Sequence, residues 1–183
     1  MTDKSKTEIE LELAWLVKYL PKDINMAGQT EIVQAYLEDT DPNIKDVRIR
    51  QKDGKFTYTV KKFMKNAQET GYTSETTKKL TKEEFERLKR RSNKKIRKIR
   101  YLYPLSDGLV AEIDVYKDNL EGLIVVEVEF PSIQALKSFI LPDWFGKEVT
   151  DSDGIYPPVI ADMSMGEVNK INDRYQQKQH EFE

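Results

Sequence analysis

Alternating polar and apolar residues recur in six segments of this 183-residue chain, and this pattern narrows its fold more than any other feature. Successive side chains of a β-strand point to opposite faces, so a period of two indicates strands whose two faces differ in chemistry. The segments span residues 7–16, 45–51, 55–63, 94–103, 109–117 and 122–130, and a weaker seventh lies near residues 70–79. So many strands in a chain of this length predict an antiparallel sheet or barrel.

A helix is predicted between two of these strands, in the segment "TKEEFERLKRR". Thr81 and Glu84 have the spacing of a capping box, in which each side chain satisfies a backbone amide of the other residue. Phe85 and Leu88 lie three positions apart and therefore share one helix face.

Two further segments are typical of helices, and one segment remains open. Ser132 is the expected N-cap of an amphipathic helix in "PSIQALKSFIL", and a polar helix is expected from about residue 163 to 179. The segment "QTEIVQAYL" is compatible with a helix, a strand or a turn. Because no repeat or Pro/Gly-rich linker marks a boundary, we expect a single domain over residues 1–183, with a core at about 7–162 and a C-terminal helix and tail at 163–183.

The polar faces of the predicted strands carry charges of one sign within each strand. The acidic sets are Glu8, Glu10 and Glu12, then Glu112 and Asp114, then Glu127 and Glu129, and the basic sets are Arg48 and Arg50, Lys55 and Lys61, and Lys98 and Arg100. A solvated sheet face explains any single strand of this kind. Like charges side by side are repulsive, however, and a ligand of opposite charge would relieve the repulsion.

If the sheet closes into a barrel with these faces inward, acidic and basic strands line one space. Charged side chains in such a space need water, counterions or a ligand. An anionic chain held by Arg and Lys, with divalent cations bound by the carboxylates, would satisfy both sets. Oxygen-only ligands suit Mg²⁺ or Mn²⁺. The charge pattern therefore predicts a polyphosphate ligand.

Composition excludes several other chemistries. Thirty basic and 32 acidic residues give a net charge of −2, which argues against nucleic-acid or membrane binding through bulk charge. The basic run "RLKRRSNKKIRKIRY" is explained by a solvated helix face followed by a strand. The chain has no cysteine, and its lone histidine, His180, lies in a polar tail. The longest apolar run is about five residues, far short of a membrane span, so we expect a cytoplasmic protein.

The charged motifs resemble those of the CYTH domains, also called triphosphate tunnel metalloenzymes, over about residues 8–161. The family's opening Glu-x-Glu-x-Lys motif and its aromatic-Leu-Val step are matched by "ELELAWLV" from Glu10. The later motifs are matched in order by "VRIR", "TYTVK", "RKIR", "EIDV" and "EGLIVVEVEFPS", and then by "LPDWFGKEVT" and "IYPPVIA".

The resemblance implies an α+β fold in which an eight-stranded antiparallel β-barrel forms a tunnel and helices pack outside. It also implies metal-dependent hydrolysis of a triphosphate, such as inorganic tripolyphosphate or a nucleoside triphosphate, with Mg²⁺ or Mn²⁺ as cofactor. The implied metal ligands are Glu10, Glu12, Glu112, Asp114, Glu127 and Glu129. The implied triphosphate clamp is Arg48, Arg50, Lys61, Lys98 and Arg100.

Two positions depart from the family pattern. Ala14 stands at the motif lysine, which the family associates with substrate contact and activation of the attacking water, and Lys18 lies roughly 13 Å further along the strand. The middle strand offers Glu75, with Thr77 where a second glutamate is frequent. The resemblance thus implies a mostly intact ligand set and puts the efficiency of turnover in question. A polyphosphate- or nucleotide-binding module and an adenylyl cyclase stay open as alternatives, as does a homodimer.

Overall fold

The computed structural model describes residues 6–63, 72–150, 155 and 157–180. Within them the strands are β1 (Lys6–Val17), β2 (Gly28–Leu37), β3 (Ile44–Lys52), β4 (Lys55–Phe63), β5 (Tyr72–Leu80), β6 (Lys94–Pro104), β7 (Val110–Tyr116), β8 (Ile124–Glu129) and β9 (Phe145–Glu148). The six predicted strands are confirmed, and the weaker seventh is confirmed from residue 72 onward. The segment left open forms β2, and β9 lies in a region where no strand was predicted.

Eight strands close into an antiparallel β-barrel in the order β1, β5, β4, β3, β2, β6, β7, β8, with β8 pairing back onto β1. The first half of β1 pairs with β5, and its second half pairs with β8 and β9. Closure leaves no unpaired edge in the ring, since every strand has a neighbour on both sides. The predicted eight-stranded barrel of the α+β class is therefore confirmed.

Glycines stand at two places where the barrel needs them. The β3–β4 hairpin turns through Asp53 and Gly54, which have φ angles of 50° and 69°, as a tight two-residue turn requires. At Gly146 of β9 a Cβ atom would lie 2.8 Å from the Leu16 carbonyl oxygen, so a side chain there would push β9 away from β1.

The helices are α1 (Lys82–Arg91), α2 (Ile133–Ser138), α3 (Pro157–Ile160) and α4 (Met165–His180). The capping box of α1 is confirmed: Thr81 Oγ1 accepts from the Glu84 amide at 3.2 Å, and Glu84 Oε2 accepts from the Thr81 amide at 2.8 Å. Phe85 then anchors α1 on the barrel, fully buried against Phe56 at a ring-centroid distance of 5.1 Å. The Ser132 cap of α2 is confirmed as well, since its hydroxyl accepts from the Ala135 amide at 3.1 Å.

Two apolar layers leave room for a charged interior. The outward faces of β1, β7 and β8 pack under α2 and β9, through residues that include Leu13, Trp15, Ile113, Val126 and Phe145. A second cluster closes one end of the barrel, where inward-facing residues of five strands meet α3 and α4: Leu16, Tyr36, Ile96, Tyr116 and Val125 pack with Ile155, Ile160 and Val168. The rest of the interior is mainly polar, so the fold presents a charged channel with one apolar end.

None of the helices within the described ranges combines the length and the apolar character that crossing a lipid bilayer requires.

Candidate active site

The interior of the barrel, here called the lumen, is lined by inward-facing side chains of the eight ring strands. Ion pairs join strands that are not neighbours in the sheet, which shows that these side chains face inward: Lys61 of β4 reaches Glu10 of β1, and Arg100 of β6 reaches Glu127 of β8. Each residue of the two predicted ligand sets lies on this face of its strand. The lumen residues of those sets are Glu10, Glu12, Arg48, Arg50, Lys61, Lys98, Arg100, Glu112, Asp114, Glu127 and Glu129.

Arg100 is the centre of a buried ionic cluster on β6, β7 and β8. Its guanidinium donates to both carboxylate oxygens of Asp114, at 2.7 and 2.6 Å, to Glu127 at 2.6 Å, and also to Glu112. Lys98 donates to the same Asp114 from the neighbouring lumen position of β6. Burial alone would raise the pKa of Asp114, but Arg100 and Lys98 lower it to about 2. This carboxylate is therefore ionised and held by two cations.

A second set of ion pairs crosses the lumen from β3 and β4. Arg48 donates to Glu75 of β5 at 2.6 Å and lies 3.5 Å from Asp46. Burial acts to lower the pKa of Arg48, but Asp46 and Glu75 raise it above its ordinary value. Lys61 contacts Glu10 at 3.0 Å and Glu12 at 3.5 Å, so the opening glutamates face a lysine across the barrel.

Arg50 differs from the other cations of the clamp, because no ion pair or hydrogen bond of its side chain is found among the described residues. Its Nε atom is buried without a partner. Burial, together with the like charges of Arg48 and Arg100, lowers its pKa below the ordinary value for arginine. A buried guanidinium in this state gains from any anion that enters the lumen.

Acidic side chains lie close together toward the end of the lumen opposite the apolar end of the barrel. Partial burial, and then the charges of Glu10, Glu12, Glu112 and Glu8, raise the pKa of Glu129. The raised pKa thus reflects burial first and the repulsion of four neighbouring carboxylates second. Among the described residues, no three side chains of the metal-binding types are gathered closely enough to hold an ion as they stand. The donors are nevertheless all carboxylate oxygens, and a divalent cation would offset their repulsion.

Comparison with known proteins agrees with this geometry. No family model matches the sequence. A 58-residue segment is 47% identical to an inorganic triphosphatase of Nitrosomonas europaea, and a 55-residue segment is 40% identical to one of Acetivibrio thermocellus. These matches cover 32% and 30% of this chain, and only 38% and 33% of the length of the two curated relatives.

A solved structure extends the likeness to almost the whole fold. The crystal structure of the inorganic triphosphatase NE1496 is 31% identical, with a TM-score of 0.61, over 83% of this chain and 93% of that one. The chain belongs to the CYTH, or triphosphate tunnel metalloenzyme, superfamily. The resemblance read from the charged strand motifs is therefore confirmed.

Position 14 sets this CYTH protein apart from the family motif. Ala14 lies opposite Glu127 in the β1–β8 pairing, and its backbone amide donates to the Thr150 hydroxyl at 3.0 Å. Lys18 is exposed beyond the end of β1, and its backbone amide binds the Trp144 carbonyl. Neither Ala14 nor Lys18 therefore provides a cation inside the lumen.

At the second departure from the family pattern, on β5, threonine hydroxyl groups take the place of a second glutamate. Thr77 donates to Glu75 at 3.2 Å and exchanges a 2.8 Å hydrogen bond with Thr59 of β4. This part of the CYTH lumen is thus neutral, and Glu75 is committed to Arg48.

Sequence reasoning missed several polar residues that the lumen contains. Gln34, Tyr36 and Thr73 are buried there, and Asp46 beside Arg48 is an acid in a strand that was described by its basic residues alone. Gln34 donates to the Tyr36 hydroxyl, whose pKa is raised by burial. The alternation within β2 was the available signal, but that segment was not assigned to a strand, so its inward face was not sorted.

Proposed function

We propose that this CYTH protein is a metal-dependent hydrolase of triphosphates, with inorganic tripolyphosphate or a nucleoside triphosphate as substrate and Mg²⁺ or Mn²⁺ as cofactor. The observation that carries the proposal is Arg50, a lumen guanidinium without an ion-pair partner in the described residues, among cations that already hold carboxylates. The names of the two curated relatives and of the solved neighbour support the same activity.

In this proposal the basic side chains of the lumen hold the phosphate chain. Arg50 binds the anion directly, because nothing in the described residues competes for it. The other clamp residues are Arg48, Lys61, Lys98 and Arg100. Each of these would share its donors between a carboxylate and a phosphate oxygen, which Arg can do through its several N–H groups.

The proposed metal ligands are Glu10, Glu12, Glu112, Asp114, Glu127 and Glu129. Glu129 and the glutamates whose charges raise its pKa lie close together, and their carboxylate oxygens fit a hard divalent ion. Asp114 and Glu127 are engaged by Arg100, so they also orient that cation. A bound Mg²⁺ or Mn²⁺ would supply charge neutralisation and polarisation of the phosphoryl oxygens.

The reaction adds water across one phosphoanhydride bond. A water oxygen bonds to the terminal phosphorus while the bond from that phosphorus to the bridging oxygen breaks, so tripolyphosphate gives orthophosphate and diphosphate. The lumen cations hold the phosphate chain in place and stabilise the charge on the leaving oxygen. The apolar end of the barrel limits entry of bulk water from that side.

Phosphate release from tripolyphosphate and ATP, with Mg²⁺, with Mn²⁺ and with a chelator, tests the proposal. Charge reversal in Glu129→Lys should abolish release, because it places a cation among the proposed metal ligands. Glu121→Lys, at an exposed glutamate in the turn before β8, is the matched control and should remain active. Full activity of folded Glu129→Lys, or release that persists in chelator, would contradict the assignment.

Ala14 favours one second candidate, a polyphosphate-binding module with little turnover. Such a protein would bind tripolyphosphate tightly in the presence of metal and release no product. Product analysis with ATP also detects a cyclase, since cyclisation yields cyclic AMP and diphosphate rather than orthophosphate.

A further inference from the structure

The two ends of the lumen differ in how they admit a ligand. At the apolar end, ring-strand residues such as Tyr116 pack with Ile155 and leave a cavity of only about 60 Å³, far below the roughly 300 Å³ of a small-molecule pocket. At the other end, the inward-facing Leu102 and Val110 are each 43% exposed, so the lumen is open to solvent there. A phosphate chain therefore enters from the open end, with its terminal phosphate first.

Three lysines lie on the lumen face of β3, β4 and β5 at the open end. Lys52 follows Arg50 by two positions on β3, and Lys55 of β4 is the direct partner of Lys52. Lys79 of β5 pairs with Thr57, which in turn pairs with Arg50. Residues two apart on a strand share a face, and paired residues of neighbouring strands point the same way, so all three lysines lie on the face of Arg50. They are here called the mouth lysines.

The mouth lysines are not held by carboxylates. No ion pair or hydrogen bond of the Lys52, Lys55 or Lys79 side chain is found within residues 6–63, 72–150 and 157–180. Asp53, the acid next to Lys52 in the chain, accepts a hydrogen bond from the Thr30 hydroxyl at 2.7 Å. Lys52 and Lys55 also repel each other, because like charges directly opposite on paired strands are destabilising. An anion at this end of the lumen would relieve that repulsion.

Positive side chains thus continue from the lumen to its open end. Arg48, Arg50 and Lys52 occupy alternate positions of β3, and each step of two residues spans roughly 7 Å. Three phosphate groups span little more than one such step. A triphosphate held by Arg48 and Arg50 therefore ends near Lys52, whereas a longer phosphate chain passes all three mouth lysines.

The neighbours of the mouth lysines favour a bare phosphate chain over a nucleic acid strand. Proteins that bind single-stranded nucleic acids usually stack the bases on aromatic side chains. The side chains that face the lumen at this end of β2, β6 and β7 belong to Thr30, Leu102, Pro104 and Val110, and none of these is aromatic. Phosphate oxygens alone suffice as partners for the lysine ammonium groups.

We propose that this protein also binds linear polyphosphates longer than three units, with the chain end inside the lumen and the tail across Lys52, Lys55 and Lys79. This inference rests on the proposed function, because the same lumen holds the chain end. Since the apolar end stops the chain, hydrolysis removes one terminal phosphate at a time. A water oxygen bonds to the terminal phosphorus while the bond from that phosphorus to the bridging oxygen breaks. The products are orthophosphate and a chain shorter by one unit, and the protons of the water pass to these products and to solvent.

The double variant Lys55→Met/Lys79→Met tests the proposal. Its matched control is Lys62→Met/Lys78→Met, which removes the same charge from exposed lysines on the opposite face of the same two strands. Calorimetry in chelator, with size-fractionated long-chain polyphosphate and with tripolyphosphate, measures binding without turnover. The mouth variant should bind the long chain about 3- to 30-fold more weakly than wild type and show a smaller loss for tripolyphosphate. The control should match wild type for both ligands, and Lys55→Arg/Lys79→Arg should keep most of the long-chain affinity.

The outcomes separate this inference from the proposed function. Equal long-chain binding by the mouth variant and its control, or equal losses for the long and short chains, would overturn the inference and leave the hydrolase standing. Long-chain binding that depends on the mouth lysines without any phosphate release in metal would support the inference and overturn the hydrolase. Mid-length fragments from the long chain would contradict entry by the chain end. If 5′-triphosphorylated RNA, rather than polyphosphate, depends on these lysines, the tail site belongs to a nucleic acid and the inference fails.

Discussion

Arg100 and Arg50 lie in the same lumen but in opposite electrostatic situations. Arg100 contacts three carboxylates, Asp114, Glu112 and Glu127, and its pKa is raised well above the ordinary value, although burial acts to lower it. Arg50 has no such partner among the described residues, and burial lowers its pKa. The comparison shows that carboxylates hold one cation within the folded framework, whereas the other has none, and in the proposed function this second cation binds the phosphate chain.

The difference follows from which strands neighbour each arginine. Arg100 on β6 is next to β7, which supplies two acidic lumen positions, and β8 beyond it supplies Glu127. Arg50 on β3 lies between β2 and β4, and its cross-strand neighbours are the uncharged Gln34 and Thr57. The acidic strands β7 and β8 therefore provide carboxylates to Arg100, whereas β2 and β4 provide none beside Arg50.

The largest expected effect is on stability, in Arg100→Met. Removing this guanidinium leaves buried Asp114 and partly buried Glu127 short of partners, and breaking a buried ionic cluster costs about 3–5 kcal/mol. Urea denaturation of variant and wild type measures the change. A loss below about 1 kcal/mol would show that the cluster is not part of the framework.

Arg50→Met should affect tripolyphosphate binding rather than stability. Stability should be unchanged or higher, because the folded state already disfavours the charge of Arg50. Tripolyphosphate binding should weaken by about 1.5–3 kcal/mol, the usual contribution of a hydrogen bond to a charged group. Calorimetry beside urea denaturation checks both, and a large loss of stability without a loss of binding would reverse the roles of the two arginines.

Acid should weaken the Arg100 cluster, but only at low pH. The pKa of Asp114 is lowered from its ordinary value of 3.8 to about 2 in the folded protein, so its stabilisation is complete above the unfolded value. It is lost as the pH falls through about 2, and it amounts to about 2 kcal/mol. Unfolding free energies between pH 6 and pH 2 should fall less steeply in Asp114→Asn than in wild type. Parallel pH profiles would contradict this linkage.

The smallest expected effect is in Glu129→Gln. Burial, and then the like charges of its neighbours, raise the pKa of Glu129 and disfavour its ionised form. Removing the charge should therefore stabilise the protein slightly, by about 0.2–1 kcal/mol at most, because solvent screens this exposed position. The same substitution should weaken Mn²⁺ binding. A variant with lower stability and unchanged Mn²⁺ affinity would argue against a metal role for this residue.

Much of the barrel could be read from the chain because two-residue alternation reports the face of each residue directly. That alternation placed Glu10, Arg48, Lys98 and Glu127 each on the charged face of its own strand before any strand pairing was known. The bulge at Lys45 in β3 was not predicted, because a one-residue insertion reverses the alternation. The strand β2 was not predicted either, because the mixed spacing of its apolar residues conceals the alternation.

The amino-acid order by itself determined that charged faces of one sign exist on separate strands, because alternation is a local property of each segment. It also determined that position 14 carries no cation. Only the tertiary structure decided which acid meets which base, since that depends on which strands become neighbours when the barrel closes. The same closure left Arg50 without a partner among the described residues, a consequence that no single segment contains.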